Sequence, residues 1–338
     1  MKAFQIGNQQ GLDSLTATTR PDPVAGPGEV LVAPRLVGLI SRDVQLLRGV
    51  YGARQAPERI PVSEGVGEVI AVGAGVGNVK PGDRVVCGHF PSWLDGEFRP
   101  DVFAHDIGIS HDGWLAERVV LPAAAVIQVP ASLADQDVAA LASAGLTAWN
   151  ALVEVCKVKP GELVLCLGTG GVSLAALKLA KLRGARVAIT SSSDEKLQIV
   201  RELGADITIN YRQHPDWAAQ LMALTDNGGA DVIIETGGQD TLGQSIAAAA
   251  ANARIAVIGV TPGQQSPIPN YLSLILKNVT IRGIANGSRK MFLELLRATA
   301  ANRIETVISK TFKFADAPAA YAYFAAQQQV GKVLIEFG

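Results

Sequence analysis

Hydrophobic and polar positions change their rhythm twice along this chain. Up to about residue 130, short apolar runs alternate with turn signals. The runs include GEVLVAPRLVGL (28–39), GVGEVIAVGAGV (65–76) and DRVVCG (83–88), and the turns include Pro27-Gly28 and Pro81-Gly82-Asp83. Short strands broken by glycine and proline predict an irregular, barrel-like β domain. From 134 to 155, ADQDVAALASAGLTAWNALVEV takes up a helical period. Strands and helices then alternate: LVLCLG, a helix over 171–183, RVAIT, a helix from Asp194, ITIN, a helix from Pro215, DVIIET, a helix over 240–250, and RIAVIGV. Continuously apolar strands at this spacing predict a parallel sheet covered by helices on both faces. From about Arg289 the chain returns to a helix and short strand-like pieces ending in GKVLIEF, which are expected to pack back on the first domain.

Composition narrows the class. The chain has 338 residues, which suggests about two domains. With 48% hydrophobic and 18% charged residues it reads as a well-packed globular protein. A formal net charge of −1 and no block of like charges give no reason to expect a nucleic-acid or membrane-surface partner. No signal-peptide core and no bilayer-spanning apolar run are expected. Cys87, Cys156 and Cys166 make no disulfide framework and suit a reducing cytoplasm. We find no internal repeat and no low-complexity linker.

The stretch richest in chemistry is ELVLCLGTGGVSLAALKLAKLRGARVAIT (162–190). An apolar strand enters Gly168-Thr169-Gly170-Gly171-Val172-Ser173, then a helix and a second strand follow. This context makes a Gly-x-Gly-x-x-Gly-like turn a candidate dinucleotide site. Gly168 allows the tight turn, Gly170 lets the backbone approach a pyrophosphate, and N–H groups at the helix start face the anion. Ser173 stands at the third glycine position, where a small residue still permits close packing. The alternative is a glycine-rich turn that binds nothing.

Taken in order, PGEVLV (27–32), RDV (42–44), PVSEGVGEVIAVGAGVGNVKPGDRVV (61–86), DGWLAERVV (112–120), SAGLTAW (143–149), GTGGVS (168–173) and GKV (331–333) resemble the medium-chain dehydrogenase/reductase superfamily over nearly the whole chain. The closest resemblance is to its quinone oxidoreductase and zinc-free alcohol dehydrogenase-like branches. It implies an α/β protein in which a GroES-like catalytic domain (1–130 and 288–338) joins a Rossmann domain (131–287), with nicotinamide bound in the cleft between them. Zinc members hold a catalytic metal with a Cys, a His-Glu pair and a second Cys. Those positions here carry Ile40, Ser63 with Glu64, and Ser143, so only Glu64 is a zinc ligand type, and no zinc is expected. The four-cysteine structural lobe is missing too. His89, His105 and His111 match no ligand spacing and read as a solvated insertion loop.

An acidic residue about 20 positions beyond the glycines usually bonds the ribose of NAD. The resemblance places Ser191 there, within TSSSDEK (190–196). A carboxylate would repel a 2′-phosphate by about 4 kcal/mol per unit pair at an effective dielectric of ~20. Ser191, Ser192 and Ser193 instead offer hydroxyls and Lys196 a cation. In similar NADPH-dependent reductases the matching lysine and the tyrosine of an Asn-Tyr pair, here Asn210-Tyr211, contact that phosphate. NADP(H) is the expected cofactor. The serines are also capping residues for the helix at Asp194, and Asp194 and Glu195 keep a ribose contact open.

Without a metal, reducing a quinone or an α,β-unsaturated carbonyl is the less demanding chemistry, because hydrogen bonds can stabilise the developing oxyanion. By resemblance, Tyr51 is a candidate donor to substrate, with a packing role as the alternative. Arg42 is an oxyanion donor or the partner of Asp43 or Glu64. Thr147 lies at the nicotinamide end or is a helix-interior threonine. Phe90, Trp93 and Trp114 wall an apolar substrate pocket or fill a core. An alcohol dehydrogenase working without zinc and a non-catalytic NADPH-binding sensor remain open. The resemblance also implies a homodimer formed through the Rossmann edge, in the segment after Pro269 (YLSLILKNVTIRGI).

Overall fold

The computed structural model describes residues 1–259 and 271–338. Val260, at the end of the RIAVIGV run, and Pro269 lie outside the described residues. The first part of the chain forms β1 (Lys2–Gln5), β2 (Thr16–Thr19), β3 (Glu29–Gly38), helix α1 (Ser41–Leu47), β4 (Gly65–Val72), β5 (Arg84–Val86), β6 (Val119–Pro122) and β7 (Ile127–Gln128). The helical stretch that follows is irregular. It contains α2 (Asp135–Val138) and α3 (Leu146–Trp149), with π-helical turns at Leu141–Gly145 and Asn150–Val155.

Alternation then sets in as the periodicity predicts: β8 (Leu163–Leu167), α4 (Gly171–Leu182), β9 (Arg186–Ser191), α5 (Asp194–Glu202), β10 (Ile207–Asn210), α6 (Trp217–Leu224), β11 (Ala230–Glu235), α7 (Gln239–Ala248) and β12 (Ala249–Val257). After the undescribed residues come α8 (Tyr271–Leu276), β13 (Thr280–Gly283), α9 (Arg289–Asn302), β14 (Ile308–Lys313), α10 (Ala317–Ala325) and β15 (Lys332–Glu336). Helix α6 begins two residues after Pro215 because Asp216 caps it, accepting from the Ala219 N–H at 2.9 Å.

The chain divides into two compact units, Met1–Leu146 with Asn286–Gly338, and Thr147–Ala285. Residues 131–146, placed with the Rossmann domain by sequence, thus group with the first unit. Polar ties account for this: the Ser143 N–H donates to Glu64 at 2.8 Å, and Asn286 Nδ2 donates to the Ala142 carbonyl at 3.0 Å.

Sheet order in the first unit is β14-β15-β3-β4-β5-β7, with β6 also on β3, and only the β14–β15 pair is parallel. Its core includes Val30, Val32, Leu39, Trp114 and Tyr321. In the second unit all pairs are parallel, in the order β10-β9-β8-β11-β12-β13. This is the doubly wound order, which leaves the carboxyl ends of β8 and β11 beside the switch point. Every residue of β8 is buried, as a central parallel strand requires, and each such Leu or Val contributes about 1.5–3 kcal/mol.

The helical stretch Asp135–Val155 is long and apolar enough to cross a bilayer by length and composition. Its most apolar window is 78% buried inside the protein, as for a core helix.

A buried polar tie in the first unit links parts of the chain far apart in sequence. Glu64 has no exposed surface, and its carboxylate accepts from Lys332 Nζ and from the Ser143 N–H. Lys332 Nζ also donates to the Leu39 carbonyl at 2.7 Å. The π-helical register around Ser143 frees that N–H from the usual helix ladder. Burial pushes the Glu64 carboxyl up, and Lys332 opposes that shift. Removing one partner strands a buried charge. Lys332→Met is expected to cost about 3–5 kcal/mol in urea unfolding, and adding Glu64→Gln to recover part of that loss. A single variant as stable as the parent would contradict the assignment.

Candidate functional site

The glycine turn of the second unit has the backbone its sequence suggests. Gly168 sits at φ 74°, a left-handed conformation that favours glycine, and a Cβ there or on Gly170 would meet no atom within 4 Å. The space above the turn is therefore open. Gly170 is the N-cap of α4 and supplies no side chain, so the N–H groups of Gly171 and Val172 are left to an outside acceptor. Ser173, 2% exposed, explains its own departure from glycine: its Oγ donates to the Leu167 carbonyl at 2.7 Å and pins the helix to the end of β8. Thr236 donates to the same carbonyl at 2.7 Å. Thr169 is buried in the turn, and Thr147 is buried on α3.

Glu235, at the end of β11, escaped the sequence reading. It is fully buried and accepts from the Gly237 and Gly238 N–H groups at 2.8 and 3.1 Å, from Thr241 at 2.6 Å and from Ser245. These bonds shape the loop at the carboxyl edge of the sheet.

At the end of β9, Ser191 is buried and Ser192 half-buried. Ser193 caps α5, its Oγ accepting from the Lys196 N–H at 3.4 Å. Asp194 points elsewhere: its carboxylate accepts from Asn210 Nδ2 at 2.9 Å and Gln213 Nε2 at 2.6 Å, closing the turn after β10. Tyr211 is 42% exposed on that turn. Its neighbour Arg212, also exposed, stands within electrostatic reach of Lys196. Partial burial, and then Arg212, lower the Lys196 ammonium from its ordinary value. Arg212 was missed by sequence, although its place beside Tyr211 was the available signal.

In the first unit Arg42 is not free to serve as an oxyanion donor. Its guanidinium, 7% exposed, grips Asp106 through two bonds of 2.8 Å and donates to the Ile107 carbonyl at 2.8 Å. The partner is thus Asp106, not Asp43 or Glu64. Asp43 instead accepts the Ile40 N–H at 2.8 Å at the start of α1, and burial pushes its carboxyl up to about 6. Tyr51 is half-buried after α1, within electrostatic reach of Arg42.

The positions at which zinc members hold their metal do converge, but around an ion pair. Lys332 Nζ joins Glu64 to the carbonyl that precedes Ile40, and Ser143 closes the other side with a backbone N–H. The one carboxylate already has its cation, and Ile40, Ser63 and Ser143 supply no thiolate or imidazole. A catalytic zinc does not fit this donor set. Cys87 is buried, and burial pushes its thiol up to about 12. Among the described residues no group of three His, Cys, Asp or Glu side chains is placed to hold a metal ion.

Not all the histidines belong to a solvated loop. His105 and His111 are exposed, with ring centroids 5.3 Å apart, but His89 is buried. Burial first, then the charges of Arg42 and Lys332, hold the His89 imidazole well below its usual range, so it is neutral at pH 7.

Comparison with known proteins supports the GroES-like and Rossmann-type fold. Residues 26–131 match the alcohol dehydrogenase GroES-like domain, and residues 171–301 match the zinc-binding dehydrogenase model. The chain is 40% identical over 318 residues to the zinc-type alcohol dehydrogenase-like protein C1773.06c of Schizosaccharomyces pombe, covering 92% of this chain and 91% of that one. A crystal structure from Sinorhizobium meliloti 1021, assigned as an alcohol dehydrogenase, shares 39% identity with a TM-score of 0.91 and covers 99% of both chains. A solved NAD-dependent alcohol dehydrogenase shares 31% identity with a TM-score of 0.90 over 100% of both chains. The chain belongs to the medium-chain dehydrogenase/reductase superfamily and is an alcohol dehydrogenase-like oxidoreductase.

Proposed function

We propose that this protein is an NADPH-dependent, metal-free reductase of quinones or α,β-unsaturated carbonyl compounds. The observation that carries this reading is the Lys332–Glu64 pair. Where related enzymes place a Lewis acid, this chain has a neutralised carboxylate and hydrogen-bonding groups. Conjugated acceptors suit such a site, because their developing oxyanion needs only hydrogen-bond donors. Bound NADPH supplies the hydride and leaves as NADP+, with one proton taken up to give the saturated carbonyl or the quinol. The chain's own part is to bind and orient. The open turn at Gly168–Gly170 and the first N–H groups of α4 receive the pyrophosphate. Ser191, Ser192, Lys196, Tyr211 and Arg212 receive the 2′-phosphate, and the engagement of Asp194 with Asn210 and Gln213 keeps its charge from a ribose. Tyr51 is a candidate donor to the substrate. Three free, buried cysteines suit a cytoplasmic enzyme.

The names of the relatives favour a second reading, alcohol oxidation, which with this donor set would proceed without zinc. The two separate in one assay: NADPH oxidation with enones and quinones against NADP+ reduction with alcohols. Turnover confined to alcohols would overturn the reductase reading. For the cofactor, Lys196→Ala and Arg212→Ala are each expected to raise KM for NADPH about tenfold and leave that for NADH within about twofold. Equal or better turnover of the parent with NADH would refute the preference.

We also infer a homodimer formed through the edge of the parallel sheet. All four residues of β13 are exposed at the end of the strand order, and α8 beside it exposes Tyr271, Ile275 and Leu276 by 65–74%. An edge with no further strand on it among the described residues, beside exposed apolar side chains, is otherwise an aggregation liability, and a second copy can pair with it. Light scattering should show a dimer that Ile275→Lys with Leu276→Lys converts to monomer. A monomeric parent would disprove it.

A further inference from the structure

Segment 88–114 carries groups that neither the nucleotide turn nor the ion pair uses. His89 is 5% exposed, and its Nε2 has no hydrogen-bond partner among the described residues. The Oγ of Ser63, a wholly buried residue, has none either. Each such orphan costs about 1–3 kcal/mol, so two in one region call for a ligand or a function. Backbone contacts join the segments that carry them. The Ile107 N–H donates to the His89 carbonyl at 3.0 Å, and a Cβ on Gly108 would lie 3.1 Å from the Val62 carbonyl carbon. Residues 107–108 thus bridge His89 and the Val62-Ser63 segment.

From His89 a series of edge-to-face rings leads to the surface. Centroids lie 6.0 Å apart for His89–Phe90, 5.3 Å for Phe90–Phe103, 5.8 Å for Phe103–Phe98 and 5.5 Å for Phe98–Trp93. Phe90 and Trp93 are buried, whereas Phe98, Phe103 and Leu94 are 39%, 50% and 42% exposed. Three large apolar groups exposed within 94–103 form a patch of the kind that binds apolar ligands. The segment is held in place beforehand. The Arg289 and Lys290 N–H groups donate to the Trp93 and Leu94 carbonyls at 2.9 and 3.0 Å, and Trp93 Nε1 donates to the Gly96 carbonyl at 3.0 Å. Such order lowers the entropy cost of binding. By sequence, Phe90, Trp93 and Trp114 either wall an apolar pocket or fill a core. Trp114 is wholly buried in the β core, and the half-exposed rings are Phe98 and Phe103.

We propose that this segment is the acceptor site, and that it selects molecules with a bulky apolar body and a single carbonyl head. Phe98 and Phe103 receive an aryl or long alkyl group, and His89 with Ser63 binds the carbonyl oxygen. A neutral imidazole offers a hydrogen bond there without adding a charge beside Arg42 and Lys332. The carbonyl head rests on the reductase reading above, whereas the apolar selectivity does not.

Calorimetry with and without NADP+, which permits no reduction, tests the site with two enones, benzylideneacetone and the smaller ethylideneacetone. The parent should bind the phenyl compound about tenfold more tightly, in proportion to the extra apolar area buried. Phe98→Ala and Phe103→Ala change half-exposed side chains. Each should cut that preference about fivefold by weakening the phenyl ligand alone. His89→Phe should weaken both ligands alike, by about fivefold to tenfold. Equal affinities, no binding of either ketone, or a preference untouched by Phe103→Ala would overturn the site. If the Phe103-dependent preference persists while neither ketone oxidises NADPH, the site stands and the reductase reading falls.

Discussion

A carboxylate with no access to water sets the terms for the rest of the catalytic unit. Glu64 remains in the interior because Lys332 and a backbone N–H at Ser143 surround it. Burying a charge without such partners is prohibitive, so the arrangement holds three distant parts of the chain together. Strand β15 is drawn against β3, the irregular helix turns its π-helical register toward Glu64, and the segment after β3 gives up the Leu39 carbonyl to Lys332. Chemistry follows from packing here. The ion pair neutralises the one carboxylate among the positions that hold metal in related dehydrogenases.

The Rossmann-type unit is organised differently. Its sheet is buried on both faces, so function is confined to the carboxyl edge of the strands, where chain reversals expose backbone. Gly168 supplies the left-handed turn, Ser173 and Thr236 secure the strand end through one shared carbonyl, and Glu235 organises the neighbouring loop. Charge is distributed with equal care. Asp194 is engaged by Asn210 and Gln213, while Lys196 on α5 and Arg212 after β10 lie within electrostatic reach of each other.

Much of this was legible in order and spacing. Alternating apolar runs foretold the strands of the parallel sheet within a few residues, because burial on both faces leaves a continuous apolar signature. The glycine turn could be read because left-handed backbone and close approach demand residues without a side chain. The replacement of metal ligands by Ile40, Ser63 and Ser143 was equally plain, since ligand chemistry is a property of residue type.

Pairing was not legible. Arg42 was offered Asp43 and Glu64 by nearness in sequence or by motif, yet it meets Asp106, brought to it by the 88–114 segment. His89 read as solvated for want of a pattern around it, and only packing buried it and left Nε2 without a partner. The boundary near 146 likewise follows bonds from Ala142 and Ser143 that no periodicity reports. Sequence alone thus determined the architecture, the glycine turn and the residue types at the metal positions, because these depend on local backbone preference and side-chain identity. Tertiary structure decided which charges neutralise each other and which polar atoms stay unsatisfied, because those depend on distances between residues that only folding brings together.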